Sequence, residues 1–146
     1  MKSFRFSLDT ALHWRETQLQ LEDEKLSRLF AELERLQSRK AENEQARRAA
    51  SKSQLQRGDL PGSDYRAFGA YLVGLDFKAD LLRAEVTTCS QRIEQQQSAC
   101  IAARRAVKLL ELLKEKQRKL WQREADLALE TAATESHLAR RVRSTS

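Results

Sequence analysis

Leucines recur every seven residues along the first third of the chain. One row contains Leu12, Leu19, Leu26 and Leu33, and a neighbouring row contains Leu8, Leu29 and Leu36. Charged residues, glutamine and alanine fill most of the positions between them. Two adjacent apolar rows with sevenfold spacing form the contact seam of a coiled coil. The pattern therefore predicts a first helix over about residues 8–56.

A second and longer pair of sevenfold rows begins near residue 65. The first row contains Tyr65, Leu72, Ala79, Val86, Ile93, Cys100 and Val107. Its companion row contains Phe68, Leu75, Leu82, Cys89, Ala103 and Leu110. These rows predict a second helix over about residues 64–141. A soluble helix of more than roughly 25 residues is usually part of a coiled coil.

A short segment of helix-breaking residues separates the two predicted helices. Residues 57–63 form a turn that contains the only proline of the chain. Because a short turn makes consecutive helices antiparallel neighbours, residue i should face a residue near 120 − i. We predict an all-α fold, a two-helix antiparallel coiled-coil hairpin that forms one domain over residues 1–146. Helix 2 beyond about Leu113 then has no partner helix and forms a C-terminal helical overhang.

The sequence carries no recognisable catalytic or metal-binding motif. His13 and His137 are far apart, and no glycine-rich phosphate loop is present. Cys89 and Cys100 would lie about 16 Å apart along one helix, too far for a disulfide bond. We therefore expect a protein without enzymatic activity or cofactor. No apolar stretch approaches membrane-spanning length and the N-terminus does not resemble a signal peptide, so we also expect a cytoplasmic protein.

Apolar residues continue along the predicted overhang. Leu113, Leu120 and Leu127 form a sevenfold stripe with Trp121 beside it. An exposed apolar ridge of this kind usually marks an interaction site. The alternative is that the stripe is covered within the chain, by the N-terminal phenylalanines or by helix 1.

The net charge of the chain is concentrated near the same end. Eight basic residues and two acidic residues fall between positions 104 and 123, so this window alone accounts for a charge of +6. The basic residues are Arg104, Arg105, Lys108, Lys114, Lys116, Arg118, Lys119 and Arg123. Such a run is either an ordinary solvated helix face or a surface for an acidic partner: a protein, a nucleic acid or a lipid surface.

A second apolar stripe lies near the start of helix 2, on the face opposite the seam. Val73, Phe77 and Leu81 follow helical spacing, and Tyr71 lies close by. A two-stranded coil cannot bury both faces of one helix. The stripe is therefore expected to be covered by dimerisation or by a loop carrying Leu60, or to dock a second partner.

Three segments of the chain match the pattern of one known family. The residues that match are Phe4-Arg5-Phe6-Ser7-Leu8 with Leu12, Arg15 and Glu16, then Tyr71-Leu72 with Leu75, and finally residues 107–116 with Trp121 and Glu124. In layout and length the chain resembles the FliJ proteins of the bacterial flagellar export apparatus. It departs from them at Thr134-Glu135, where the family often has an Asp-Glu pair.

The resemblance implies a stalk protein of flagellum biogenesis, motility and chemotaxis that acts at the cytoplasmic face of the inner membrane. Its partners would be the hexameric export ATPase, the export gate protein FlhA and export chaperones. It would bind no small-molecule substrate. The ATPase ring would contact Leu113, Arg118, Lys119, Leu120, Trp121, Arg123 and Leu127, called the end surface below. The gate or chaperones would contact Tyr71, Val73, Phe77 and Leu81, called the outer stripe.

Three alternatives to this function remain open. Stalk proteins of virulence-type type III secretion systems share the same expected shape. A basic coiled-coil adaptor or nucleic-acid binder is less favoured, because acidic residues interrupt the basic window and no groove-reading motif is present. A structural spacer without partners is the third.

Overall fold

The computed structural model describes residues 2–56 and 61–145, which form two long helices. Helix α1 spans Asp9–Gln56 and helix α2 spans Gly62–Thr145. No strand occurs in these two described ranges. The helices pack against each other, which confirms the predicted all-α antiparallel hairpin. Residues 57–60 of the predicted turn lie outside the described part of the chain.

Each helix begins close to its predicted position. The amide of Leu12 donates to the Leu8 carbonyl at 2.9 Å, and Asp9 lies in the first turn of α1, where the helix dipole favours an acidic side chain. Helix α2 begins two residues earlier than predicted, because the Tyr65 amide already donates to the Pro61 carbonyl at 3.0 Å. Ser63 therefore lies inside the first turn of α2.

The helices form two compact units, and both helices contribute to each. The first unit combines the chain up to Gln20 with everything from Ile101 onward, and the second unit spans Leu21–Cys100. None of the helical stretches that the structure describes is long and apolar enough to cross a membrane.

The core of the second unit consists of residues from the predicted seam. Leu36, Cys89 and Ile93 are buried, and five half-buried side chains pack around them: Leu26, Leu29, Leu33, Leu82 and Val86. The Cys89 thiol donates to the Leu29 carbonyl at 3.5 Å. Residue 29 was expected to face a residue near 91, so the observed pairing lies two residues from the predicted one.

Asn43 is a buried polar residue within this seam. It follows Leu29 and Leu36 at sevenfold spacing, and its side-chain amide donates to the Leu75 carbonyl at 3.0 Å. A hydrogen-bonded polar residue in a coiled-coil seam favours one register over others. Tyr65, in contrast, was wrongly assigned to the seam. Tyr65 is 58% exposed, and Leu55 near the end of α1 is 87% exposed, so the seam does not extend to this end of the helices.

The first unit has its own small core around the start of the chain. Phe6, Leu12 and Val107 are buried, and Phe4, Leu19 and Leu110 pack against them. Residues 2–6 are not helical, yet Phe4 reaches Trp121 on α2. This contact corrects the predicted overhang. Because the N-terminal phenylalanines cover part of α2, the uncovered portion begins after Ala125, and every described residue from 126 to 145 is exposed.

Candidate functional site

The apolar residues of the end surface become more exposed toward the end of α2. Leu113 is 36% exposed, Leu120 is 49% exposed and Leu127 is 61% exposed. All three lie in the first unit, on the sevenfold stripe that the sequence predicted. Since a leucine that remains half-exposed gains little from folding, this ridge contributes more to a surface than to the core.

Trp121 is the one half-buried apolar residue of the end surface. Its ring lies against Phe4, with 6.0 Å between ring centroids and 50° between the ring planes. A groove of about 880 Å³ runs between the N-terminal segment and α2, and its walls include Phe4, Leu120 and Trp121. The N-terminal segment therefore covers Trp121 only in part.

The basic side chains of the end surface differ in their pairing. Arg118 donates twice to Glu115, with Nε to Oε2 at 3.0 Å and Nη2 to Oε1 at 2.8 Å. The hydrogen bonds with Arg118 lower the pKa of Glu115, and the same bonds raise the pKa of Arg118. Across the described ranges, no carboxylate lies within ion-pair distance of Lys119 or Arg123. Lys119 and Arg123 therefore present the positive charge of this surface.

Another ion pair joins the two helices within the first unit. Lys114 Nζ lies 3.1 Å from Asp9 Oδ1, and both side chains are largely exposed. An exposed pair of this kind contributes at most about 1 kcal/mol to stability. It nevertheless shows that the first turn of α1 faces α2 at Lys114.

The two units differ in net charge. The first unit has 14 basic and 8 acidic residues, a net charge of +6, whereas the second has 13 of each and is neutral. These counts sum to the 27 basic and 21 acidic residues of the whole chain. The excess positive charge thus lies entirely in the unit that contains the end surface.

The outer stripe is exposed along its whole length. Val73 and Phe77 are 68% and 64% exposed, and Tyr71 and Leu81 are about half exposed. No described residue of this chain covers the stripe, and Leu60, the residue of the expected covering loop, lies outside the described ranges. The stripe belongs to the second unit, whereas the end surface belongs to the first.

Two features of these surfaces were not anticipated from the sequence. The pairing of Arg118 with Glu115 was missed, although their spacing of three residues on one helix signals it. Asn43 was missed as well, together with a groove beside it that Tyr71 and Leu81 line. The sevenfold step from Leu36 could have identified Asn43.

Burial raises the pKa of both cysteine thiols, Cys89 and Cys100. Both side chains are only 3% exposed. A buried thiol with a raised pKa is a poor nucleophile at neutral pH. Within the described residues, no three side chains of His, Cys, Asp or Glu are grouped so as to hold a metal ion.

Comparison of the chain with protein-family models, with curated proteins and with solved structures finds no match.

Proposed function

We propose that this chain is a non-enzymatic stalk and escort component of the bacterial flagellar protein export apparatus. In this proposal the end surface enters the hexameric ring of the export ATPase, and the outer stripe meets the export gate FlhA or an export chaperone. The chain is held at the cytoplasmic face of the inner membrane by these protein contacts alone.

The observation that carries the proposal is the bare end of α2. Twenty consecutive described residues, 126–145, are all exposed. Most helical stability in proteins comes from packing against another element, and none of these residues is buried against another described part of the chain. A helix that continues so far beyond its partner therefore suits a site in another protein that surrounds it, such as the central hole of a ring.

The separation of charge between the units supports the same proposal. A net charge of +6 in the first unit attracts an acidic partner and orients the chain so that this unit arrives first. Because exposed charges act mainly on the rate of association, Lys119 and Arg123 would guide the approach. Leu120 and Trp121 would then supply most of the affinity.

The test is binding to the purified export ATPase hexamer. Leu120→Ala combined with Trp121→Ala should weaken binding by about 2 kcal/mol or more, which is roughly thirtyfold. The matched control is Leu109→Ala combined with Leu112→Ala. These leucines are 68% and 59% exposed on the same stretch of α2 and lie outside the end surface. Helicity should remain near wild type in both variants, and equal loss of binding in the two would contradict the proposed contact.

Charge reversal separates this proposal from nucleic-acid binding. Lys119→Glu with Arg123→Glu should slow association with the ATPase more than it speeds dissociation. A nucleic-acid binder would instead lose binding altogether, with affinity falling linearly against the logarithm of salt concentration. A spacer would bind neither partner. Tighter binding to the ATPase of a virulence-type secretion system would assign the chain to that apparatus.

A further inference from the structure

The N-terminal segment lies on the part of α2 that the proposed partner would use. Phe6 is 7% exposed and packs with Leu12 and Val107, so it anchors the segment in the core of the first unit. The amide of Asp9 donates to the Phe6 carbonyl at 3.2 Å, which fixes the chain direction at the start of α1. Phe4, two residues before the anchor, is only half-buried and rests on Trp121.

The segment before Phe6 is attached by apolar contacts rather than by hydrogen bonds. Residues 2–5 form no regular structure, and no hydrogen bond joins them to any other described residue. The groove beneath them, about 880 Å³, remains open next to Leu120, which is still 49% exposed. Phe4 therefore attaches this segment by two contacts, its packing against the core of Phe6, Leu12 and Val107 and its tilted ring contact with Trp121.

We propose that residues 2–5 are a displaceable cover over Trp121, and that a binding partner replaces Phe4 on the indole ring. The inference rests on the proposed function, since it concerns regulation of the end surface. The partner that fits is a protein segment with an aromatic or aliphatic side chain that takes the place of Phe4. A protein whose binding-competent form is only a fraction of the population binds with correspondingly reduced apparent affinity. The cover thus lowers affinity until a partner competes for Trp121.

Two measurements on the full chain test the cover. Trp14→Phe leaves Trp121 as the only tryptophan, and in this background quenching by acrylamide reports how accessible the indole is. Phe4→Ala should raise the quenching constant of Trp121. Phe4→Tyr, which keeps the ring, should leave it near wild type. Phe30→Ala removes an exposed phenylalanine of the other unit and should also leave it unchanged. Equal quenching of Trp121 in the Trp14→Phe background and in the three variants built on it would overturn the cover.

The second measurement is affinity for the purified export ATPase hexamer. Phe4→Ala should bind at least about threefold more tightly than wild type, because the competing ring is absent. Unchanged affinity would overturn displacement, and weaker binding would show that Phe4 is part of the contact and not a cover. If neither the wild type nor Phe4→Ala binds the ATPase, the proposed function fails. In that case, increased quenching of Trp121 in Phe4→Ala still supports the cover, and unchanged quenching overturns it.

Discussion

Truncation of Leu36 measures how much the seam of the second unit contributes to stability. Leu36 is 4% exposed and packs with Cys89 and Ile93. Leu36→Ala removes three carbon atoms from this seam, and the lost transfer free energy is about 0.8 kcal/mol for each. The cavity left behind adds to that loss, so we expect about 3 kcal/mol of destabilisation. Leu21→Ala is the matched control, because Leu21 is on the same helix and is 45% exposed. It should cost about 1 kcal/mol or less.

Urea unfolding followed by two probes measures this loss and also tests the predicted single domain. Circular dichroism reports both helices, whereas the only tryptophans, Trp14 and Trp121, lie in the first unit. If the chain unfolds as one domain, Leu36→Ala shifts both transitions by the same amount. A shift in circular dichroism alone would show that the units unfold separately. An unchanged midpoint by both probes would refute the assigned seam.

Three further predictions concern the second unit. Burial raises the pKa of the Cys89 and Cys100 thiols, so both stabilise the folded state below their ordinary pKa and lose this contribution as the pH rises. Between about pH 8 and 10, the melting temperature of a variant with both cysteines replaced by alanine should therefore fall less than that of the wild type. Phe77→Ala should leave the melting temperature nearly unchanged, since the ring is 64% exposed, and weaken binding to FlhA in a pull-down. Strong destabilisation would show that this ring is buried. Gly69→Ala and Gly74→Ala should each stabilise α2 by about 0.5–1 kcal/mol in thermal unfolding, because an added Cβ meets nothing within 4 Å. A loss of stability in either variant would indicate a close neighbour.

The sevenfold pattern was sufficient to predict both helices and most of the seam. Leu36, Cys89, Ile93 and Val107 are buried where the rows place them, because period alone decides which face of a helix turns inward. Period does not supply a partner side chain, however. Tyr65 follows its row but is exposed, and Leu55 near the end of α1 is exposed as well.

Contacts between distant parts of the chain could not be predicted in the same way. The bond from Asn43 to Leu75 spans 32 residues and depends on the register of the hairpin, which the sequence gives only to within a few residues. The path of residues 2–6 has no period at all, so the contact of Phe4 with Trp121 remained one of two alternatives. The exposure of Val73 and Phe77 followed from geometry, because a helix paired on one side leaves its opposite face uncovered.

The most direct test of the proposed stalk is the affinity of the export ATPase hexamer for a chain that ends at Ala125. Every described residue removed is exposed, so both cores and the contact between Phe4 and Trp121 should remain intact. If the end of α2 enters the ring, this truncation should weaken binding at least about tenfold, or 1.4 kcal/mol, relative to the full chain. Equal affinity of the truncated and full chains would contradict insertion.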